Sequence, residues 1–170
     1  MRITCVQGDI TTQTTDAIVN AANASLLGGG GVDGAIHRAA GPRLLEACRE
    51  LRRTSLPDGL PVGDAVATPA FDLPSRWVIH TVGPNRHVGE TDPQLLASCF
   101  TRSLDVAVEL GARRVSFPAV SAGVYGWDAD EVARIALAAT RAHPAEGIDE
   151  VRFVLFSERL LASFEAAQSR

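Results

Sequence analysis

A run of four glycines, followed closely by an aspartate, occupies residues 28–34, which read Gly-Gly-Gly-Gly-Val-Asp-Gly. Each glycine held in one conformation costs roughly 0.5–1 kcal/mol relative to alanine, so stability does not explain the run. Glycines let backbone N–H groups approach a ligand closely, and a helix N-terminus behind them favours an anion. The run lies between the apolar residues 17–19 and a helix pattern that starts near Val32. It therefore predicts an anion-binding loop, with a flexible surface loop as the alternative.

A second glycine-containing segment, residues 121–126, reads Ser-Ala-Gly-Val-Tyr-Gly and lies between an apolar run and a helix pattern that begins at Asp128. Taken alone, such a segment is as often a simple turn. Two amide-rich loops that each follow a strand and precede a helix can together hold a diphosphate from both sides. We therefore predict that both segments belong to one site.

The segment at residues 8–11, Gly-Asp-Ile-Thr, follows the first apolar run of the chain. Asp9 or Thr11 can cap a turn or a short helix at this place. The functional alternative is a carboxylate that accepts a hydrogen bond from an amino group of a ligand at the edge of the sheet. The residues alone leave both interpretations open.

Short apolar runs alternate with helical patterns, as expected for an α/β protein in three layers. The predicted strands are mostly apolar, as in a sheet covered on both faces, and comprise residues 2–7, 17–20, 65–69, 77–82, 113–120 and 151–157. The predicted helices run from near 32 to about 41, from about 42 past 51, from 92 to 111, from 128 onward and from about 159 to 167. In the fourth helix, Glu131 is the expected capping partner of Asp128. We find no linker or repeat and expect one domain over residues 1–170.

The composition excludes several classes of protein. The net charge is −4 and all 16 basic residues are arginines, so no lysine can form a Schiff base or complete a Walker-type phosphate loop. The arginines are scattered rather than clustered, so nucleic acid is not an expected partner. No apolar stretch is long enough to cross a membrane and no signal peptide is evident. The three cysteines have no pairing or metal-ligand spacing, which favours buried reduced thiols and a cytoplasmic location.

The four histidines offer no metal-ligand pair at useful spacing, and we expect no metal and no cofactor. His37 lies one helical turn beyond Asp33 and could face the site, but we expect it on a solvated helix face. His80 lies within an apolar strand pattern and is expected in the core. His87 and His143 are expected at the surface.

The glycines at positions 29, 31 and 34 formally match the G-x-G-x-x-G fingerprint of dinucleotide-binding folds. In that fold the first glycine directly follows the strand, and an acidic residue ends the next strand about 20 residues later. Here eight residues separate Asn20 from Gly29, and the region near residue 50 has a helical pattern. A dinucleotide-dependent dehydrogenase is therefore a weak alternative.

Five segments together resemble one known family. They are Gly-Asp-Ile-Thr, Asp-Ala-Ile-Val-Asn-Ala-Ala-Asn at 16–23, the glycine run, Val-Ile-His-Thr-Val-Gly-Pro at 78–84, and the segment 121–126. In type and order they are similar to the motifs of the macrodomain family, above all to its MacroD-type class of ADP-ribose-binding hydrolases. The resemblance extends from about Gly8 to Glu158. It implies a three-layer α/β/α sandwich around a central mixed six-stranded sheet, with ADP-ribose across one edge.

The resemblance also implies roles for individual residues. Asp9 would bind the adenine amino group beside the backbone of Ile10, and Phe156 would pack on adenine. Asn23 would hold the distal ribose hydroxyls, and Asp33 would lie near the anomeric carbon. The amides of two loops would line the diphosphate, and they belong to Gly30, Gly31, Val32, Ser121, Ala122, Gly123, Val124 and Tyr125, the last of which would also pack against the distal ribose.

Asp33 would then be a candidate base. A like charge on the nearby diphosphate raises the pKa of a carboxyl group, which makes it a better base or orienter for an attacking water. Asp33 could instead, or in addition, cap the helix. Trp127, next to the second loop, could narrow or extend the distal-ribose end of the site.

Departures from other classes of the family narrow the expected activity. The paired glutamates of polymer-cleaving members, the lysine nucleophile of another class and the Cys/His cluster of zinc-dependent members are all missing. We therefore expect a metal-independent hydrolase. Its expected substrates are mono-ADP-ribosylated proteins with ester links to acidic side chains, O-acetyl-ADP-ribose, or both. The alternative is a non-catalytic ADP-ribose reader. We expect a monomer that does not associate with membranes.

Overall fold

The computed structural model describes residues 1–170 and contains one six-stranded sheet with five helices. The strands are β1 (Arg2–Gln7), β2 (Ala17–Ala22), β3 (Ala65–Pro69), β4 (Trp77–Val82), β5 (Arg114–Phe117) and β6 (Glu150–Leu155). The helices are α1 (Gly31–Ala40), α2 (Pro42–Arg53), α3 (Pro93–Leu110), α4 (Ala129–Ala142) and α5 (Glu158–Gln168). Short 3-10 helices occur at Ile10–Thr12 and Arg86–Val88.

The sheet has the order β1-β6-β5-β2-β4-β3. All neighbouring strands are parallel except β3, which pairs antiparallel with β4 at one edge. Alternate residues of the inner strands point to opposite faces, so that Ile18 and Val78 pack with α1 and α2, whereas Val19 and Ile79 pack with α3, α4 and α5. The expected mixed sheet between two helical layers is confirmed.

The larger core contains four fully buried phenylalanines that join β5 and β6 to α3 and α5. Successive ring centroids in this cluster lie 5.1–6.2 Å apart, a spacing typical of tilted and edge-to-face aromatic pairs, and the rings belong to Phe100, Phe117, Phe153 and Phe164. This packing fixes β5 and β6 relative to the helices behind them. It thereby fixes the loops that leave both strands.

Capping residues set the helix starts. Pro42 and Pro93 occupy the first position of α2 and α3, where a missing N–H has no cost. Asp128 accepts hydrogen bonds from the first-turn amides of α4, including that of Glu131. Glu131 is thus a capping partner of Asp128 through its amide, whereas its carboxylate accepts two hydrogen bonds from Arg86.

Two strands end earlier than predicted, and both ends open onto the same edge of the sheet. The strand β5 stops at Phe117 because Pro118 has no N–H to continue the ladder. The strand β6 stops at Leu155, where Phe156 turns outward and Ser157 caps α5 by accepting the Leu160 amide. No helix combines the length and apolarity that crossing a membrane requires.

Candidate functional site

A cavity of about 730 Å³ lies at the carboxyl ends of β1, β2, β5 and β6. This volume falls within the range of small-molecule sites, and the position is the usual one for ligands in α/β sheets. Every predicted site residue lines this one cavity: Asp9, Ile10, Asn23, Gly30, Gly31, Val32, Asp33, Ser121, Ala122, Gly123, Val124, Tyr125 and Phe156.

The first glycine loop leads directly into α1. Gly30 is the N-cap, and the first helical hydrogen bond runs from the Gly34 amide to the Gly30 carbonyl. The amides of Gly31, Val32 and Asp33 therefore precede the hydrogen-bonded part of the helix and have no helical partner. The interpretation of Asp33 as the helix N-cap was wrong, because Gly30 is the N-cap and Asp33 lies within the first turn of α1.

Close packing explains one glycine of this loop. A methyl group at Gly34 would lie 2.6 Å from the carbonyl oxygen of Gly29, which is a backbone atom. At Gly31 a side chain would meet open space, but the φ of +57° disfavours most residues there. Because Gly34 has no side chain, the start of α1 can pack directly against the backbone of the glycine loop.

Asn23 follows β2 and is held by the glycine loop. Its Nδ2 donates to the carbonyl of Gly28 at 2.9 Å, and its Oδ1 accepts from the Ser25 hydroxyl at 2.6 Å. A carboxamide has two donor hydrogens and two acceptor lone pairs. One donor and one acceptor of Asn23 therefore stay available to a ligand in the cavity.

Asp33 lies in the wall of the cavity and is only 4% exposed. Its Oδ1 accepts a hydrogen bond from Asn20 Nδ2 at 2.8 Å and lies 3.4 Å from His37 Nε2. Burial raises the pKa of Asp33 above its usual value, while the hydrogen bond from Asn20 and the nearby His37 oppose that rise. Such a carboxyl group is a stronger base than an exposed one.

The expectation that His37 lies on a solvated helix face was wrong. Its side chain is 14% exposed and faces Asp33 one helical turn away. The spacing in the sequence could have predicted this orientation, because residues four apart on a helix share a face and Asp33 is a predicted site residue. Asn20 was missed as a site neighbour for another reason: it was treated as part of an apolar strand.

The second loop, at residues 121–126, depends on left-handed backbone at both ends. Ser121, Gly123 and Gly126 have φ values of +67°, +80° and +79°. The Ser121 hydroxyl donates to the carbonyl of Pro84 at 2.9 Å, which ties the loop to the segment after β4. A methyl group at Gly83 would clash with that hydroxyl oxygen, so the two segments are in contact.

Trp127 anchors this loop from below rather than shaping the mouth of the cavity. It is 3% exposed and is not among the residues that line the cavity, so the structure does not favour the interpretation that it narrows or extends the site. Its indole N–H donates to the carbonyl of Pro84 at 3.0 Å. The Arg86 guanidinium lies 4.0 Å above the indole ring and also pairs with Glu131, while the Arg86 amide donates to the Tyr125 carbonyl.

The cavity is also lined by Asp9, Ile10 and Phe156. Asp9 is exposed, and its Oδ1 caps the first 3-10 helix by accepting from the Thr11 amide and hydroxyl at 2.9 and 2.7 Å. The Asp9 Oδ2 atom makes no such bond, so capping and ligand binding are compatible. Phe156 is 72% exposed, which leaves one ring face open to stack on a planar group.

The remaining histidines and the cysteines were predicted with mixed success. His80 is fully buried, as predicted, and His87 is exposed, as predicted. The expectation for His143 was wrong, because its side chain is largely buried and lies 2.6 Å from Asp105. All three cysteines are free thiols, but only Cys48 and Cys99 are buried as predicted, whereas Cys5 is half-buried. No group of three or more His, Cys, Asp or Glu side chains could hold a metal ion.

Comparison with known proteins gives a consistent result. A family model described as "Macro domain" matches residues 19–136. A macro domain-containing protein of Streptomyces coelicolor is 60% identical over 164 residues, which cover 96% of each chain. A relative from Chlorobaculum tepidum is 50% identical over 168 residues, covering 97% of this chain and 94% of that protein.

Solved structures are similar over the same length. An Oceanobacillus iheyensis macrodomain with ADP has 46% identity and a TM-score of 0.92, covering 97% of this chain and 88% of that one. A Trypanosoma brucei macrodomain in complex with ADP-ribose has 40% identity and a TM-score of 0.87, covering 98% of this chain and 69% of that one.

Proposed function

This chain belongs to the macro domain family, and on that basis we propose that it binds ADP-ribose and hydrolyses esters of its distal ribose. The substrates would be aspartyl or glutamyl esters of mono-ADP-ribosylated proteins, O-acetyl-ADP-ribose, or both. The observation that supports hydrolysis best is the buried carboxyl group of Asp33, which lies in the wall of a cavity with two amide-rich loops.

The binding part of the proposal rests on the loops. The amides at the start of α1 and those of Ser121, Gly123, Val124 and Tyr125 would hold the diphosphate with backbone N–H groups and a helix dipole. The Ala122 amide, by contrast, donates to the Ala119 carbonyl within the loop. The related structures from Oceanobacillus iheyensis and Trypanosoma brucei contain ADP and ADP-ribose. By the same similarity, Asp9 would accept from the adenine amino group and Phe156 would stack on the ring.

The hydrolytic part assigns a role to each polar side chain at the distal-ribose end. Asn23 would hold the ribose hydroxyls with its free donor and acceptor. Asp33 would orient a water molecule and accept one of its protons, while the water oxygen bonds to an ester carbon and the ester C–O bond breaks. The electron pair of that bond would leave with the released oxygen, either as a carboxylate or as a ribose hydroxyl that takes the proton back from Asp33. The diphosphate would lie close enough to assist as a base, and Tyr125 would pack against the ribose.

We further propose that residues 1–170 act as one macro domain. The three free thiols are compatible with the cytoplasmic location that the sequence predicts. A monomer would suffice, since every residue assigned to the site lines a cavity within one chain.

The test is incubation with mono-ADP-ribosylated protein that carries ester links to acidic residues, followed by detection of released ADP-ribose. Release by the wild-type protein would support hydrolysis. Binding of ADP-ribose without release from any ester, including O-acetyl-ADP-ribose, would favour the alternative of a non-catalytic reader. The absence of ADP-ribose binding would contradict both functions.

A further inference from the structure

A chain of hydrogen bonds runs through the protein interior behind Asp33. Asn20 Nδ2 lies 2.8 Å from Asp33 Oδ1 and 3.2 Å from His80 Nδ1. His80 Nε2 in turn lies 3.0 Å from Thr68 Oγ1. Asn20 and His80 are completely buried. Asp33, at the cavity wall, is thereby connected to side chains of β2, β4 and β3 in succession.

The donors and acceptors of this chain fit in only one direction. A carboxamide nitrogen has two hydrogens and no lone pair to share, so Asn20 Nδ2 donates one to Asp33 and the other to His80 Nδ1. His80 Nδ1 must then be unprotonated, which puts the ring hydrogen on Nε2, where it faces Thr68 Oγ1. Burial lowers the pKa of His80 to about 3, with a further lowering by His37. The ring is therefore neutral at any pH at which the protein would work.

Asn20 and His80 occupy buried positions at which apolar side chains would pack with a smaller desolvation penalty. Asn20 and His80 are Cα partners across the parallel pair of β2 and β4, whose neighbouring residues Val19 and Ile79 belong to the apolar core. Burying an amide and an imidazole is costly unless their hydrogen bonds are made. The Asn20 Oδ1 atom has no partner, so the amide is held by its two N–H bonds alone. The only charged group that the chain reaches is Asp33.

We propose that Asn20 and His80 are positioning residues that hold Asp33 in its reactive orientation. Asn20 would fix Oδ1 of the carboxylate and leave Oδ2 for water, while His80, as a neutral acceptor, would fix the rotation of the Asn20 amide. The proposal rests on the hydrolytic role of Asp33 proposed above.

The charge state of Asp33 depends on every group packed around it. His37 faces it from the same helix, Cys48 interacts with it from α2, and His80 lies behind Asn20 on β4. Tyr125 interacts with it across the cavity from the second loop. None of these four groups donates a hydrogen bond to the carboxylate, whereas Asn20 does so at 2.8 Å. A donated bond stabilises the charged form, so its loss would raise the pKa of Asp33.

The test replaces Asn20 with leucine, which has the same branched arrangement of heavy atoms but donates no hydrogen bond, and with alanine as a second, smaller variant. We expect kcat to fall about 10- to 100-fold, by analogy with groups that orient metal ligands. The affinity for free ADP-ribose, measured by calorimetry, should stay within about threefold. Because the active form would be the ionised carboxylate, the acid limb of the pH–rate profile should move to higher pH.

The His80 position supplies a graded comparison. His80→Gln keeps a possible acceptor for the Asn20 amide and should retain most of the rate, whereas His80→Phe removes the acceptor and should behave like Asn20→Leu. His143→Phe is the matched control, since it makes the same change at another largely buried histidine. His143 lies outside the cavity, and its partner is Asp105. This control variant should lower stability without moving the pH profile. If the Asn20 variants do not fold, the His80 pair decides.

A measurement independent of turnover separates this proposal from the proposed function. The carbon-13 shift of the Asp33 carboxyl group, followed during a pH titration, should report a higher pKa in Asn20→Leu than in the wild-type protein. If the wild-type protein hydrolyses no ester, the proposed function fails while this titration still decides the effect of Asn20. Folded Asn20 and His80→Phe variants with unchanged titration, rate and pH profile would overturn the proposal.

Discussion

Two carboxylates, those of Asp9 and Asp33, line the cavity, and the same substitution by asparagine can be made at each. We predict that Asp33→Asn abolishes most of the turnover but leaves ADP-ribose binding nearly unchanged, whereas Asp9→Asn does the reverse. Both substitutions preserve shape, and both keep an oxygen where the structure uses one. The new amide oxygen at position 33 could still accept from Asn20, and the one at position 9 could still accept from Thr11. Folding should therefore survive in both variants.

The magnitudes follow from the two environments. Asp33 is 4% exposed, so the loss of a buried base should lower the saturating rate about 10²- to 10⁴-fold. A hydrogen bond to a charged group contributes about 1.5–3 kcal/mol, which corresponds to roughly 10- to 140-fold in affinity. Because Asp9 is exposed to water, we expect the lower end, about tenfold. Its rate loss should disappear at saturating substrate, since in the proposed binding mode the adenine would lie far from the ester.

The assays are calorimetry with free ADP-ribose and release of ADP-ribose from an ester-linked protein at saturating concentration. Asp58→Asn, at an exposed position outside the cavity, is the control and should change neither quantity. Normal turnover of Asp33→Asn at saturation would refute its catalytic assignment. Equal affinity of Asp9→Asn and wild-type protein would refute the adenine contact.

Three further predictions concern the framework of the site. Glu150→Gln should destabilise the protein by about 1–3 kcal/mol in urea unfolding, below the 3–5 expected for a fully buried pair because the arginine partners are partly exposed. Burial alone would raise the pKa of Glu150, but hydrogen bonds lower that pKa to about 2. The contribution of Glu150 to the free energy of unfolding is therefore complete above about pH 4.5 and should be lost as the pH falls towards 2. The Glu150→Gln variant should not show this loss. Trp127→Phe removes the donor to Pro84 and should weaken ADP-ribose binding several-fold in calorimetry while AMP binding changes less; equal losses would argue against a role of the second loop at the diphosphate. Gly34→Ala forces a methyl group against the Gly29 carbonyl and should lower both the melting temperature and ADP-ribose affinity, and a variant with unchanged affinity would contradict the amide role of the first loop.

Periodicity and capping predicted the elements of the fold well, and their ends less well. The strands β1, β3 and β4 match their predicted bounds, because each is an apolar run ended by turn residues. The strands β5 and β6 were extended too far, since apolar residues continue past the point where Pro118 interrupts the ladder and where Phe156 turns into solvent. The order of the strands depends on crossover connections, which local patterns do not encode.

Two of the errors at the site have a common physical cause. The orientations of His37 and Trp127 depend on which face of an element meets the cavity, and that is decided by packing between segments distant in sequence. Asn20 is a polar residue in an apolar strand, a pattern that sequence alone attributes equally to a satisfied core group or to a neighbour of the site. A buried polar residue on a strand that ends in a candidate site is the signal that could have identified it.

The proposed site offers a physical reason for the absence of lysine from this sequence. A lysine in either loop would bind a diphosphate strongly, but its charge near Asp33 would lower the pKa of that carboxyl group and weaken it as a base. Backbone amides and a helix N-terminus supply only partial charges. The bound diphosphate would therefore keep most of its negative charge and raise the pKa of Asp33 further. On the proposed function, the amide loops hold the substrate without weakening the base that acts on it.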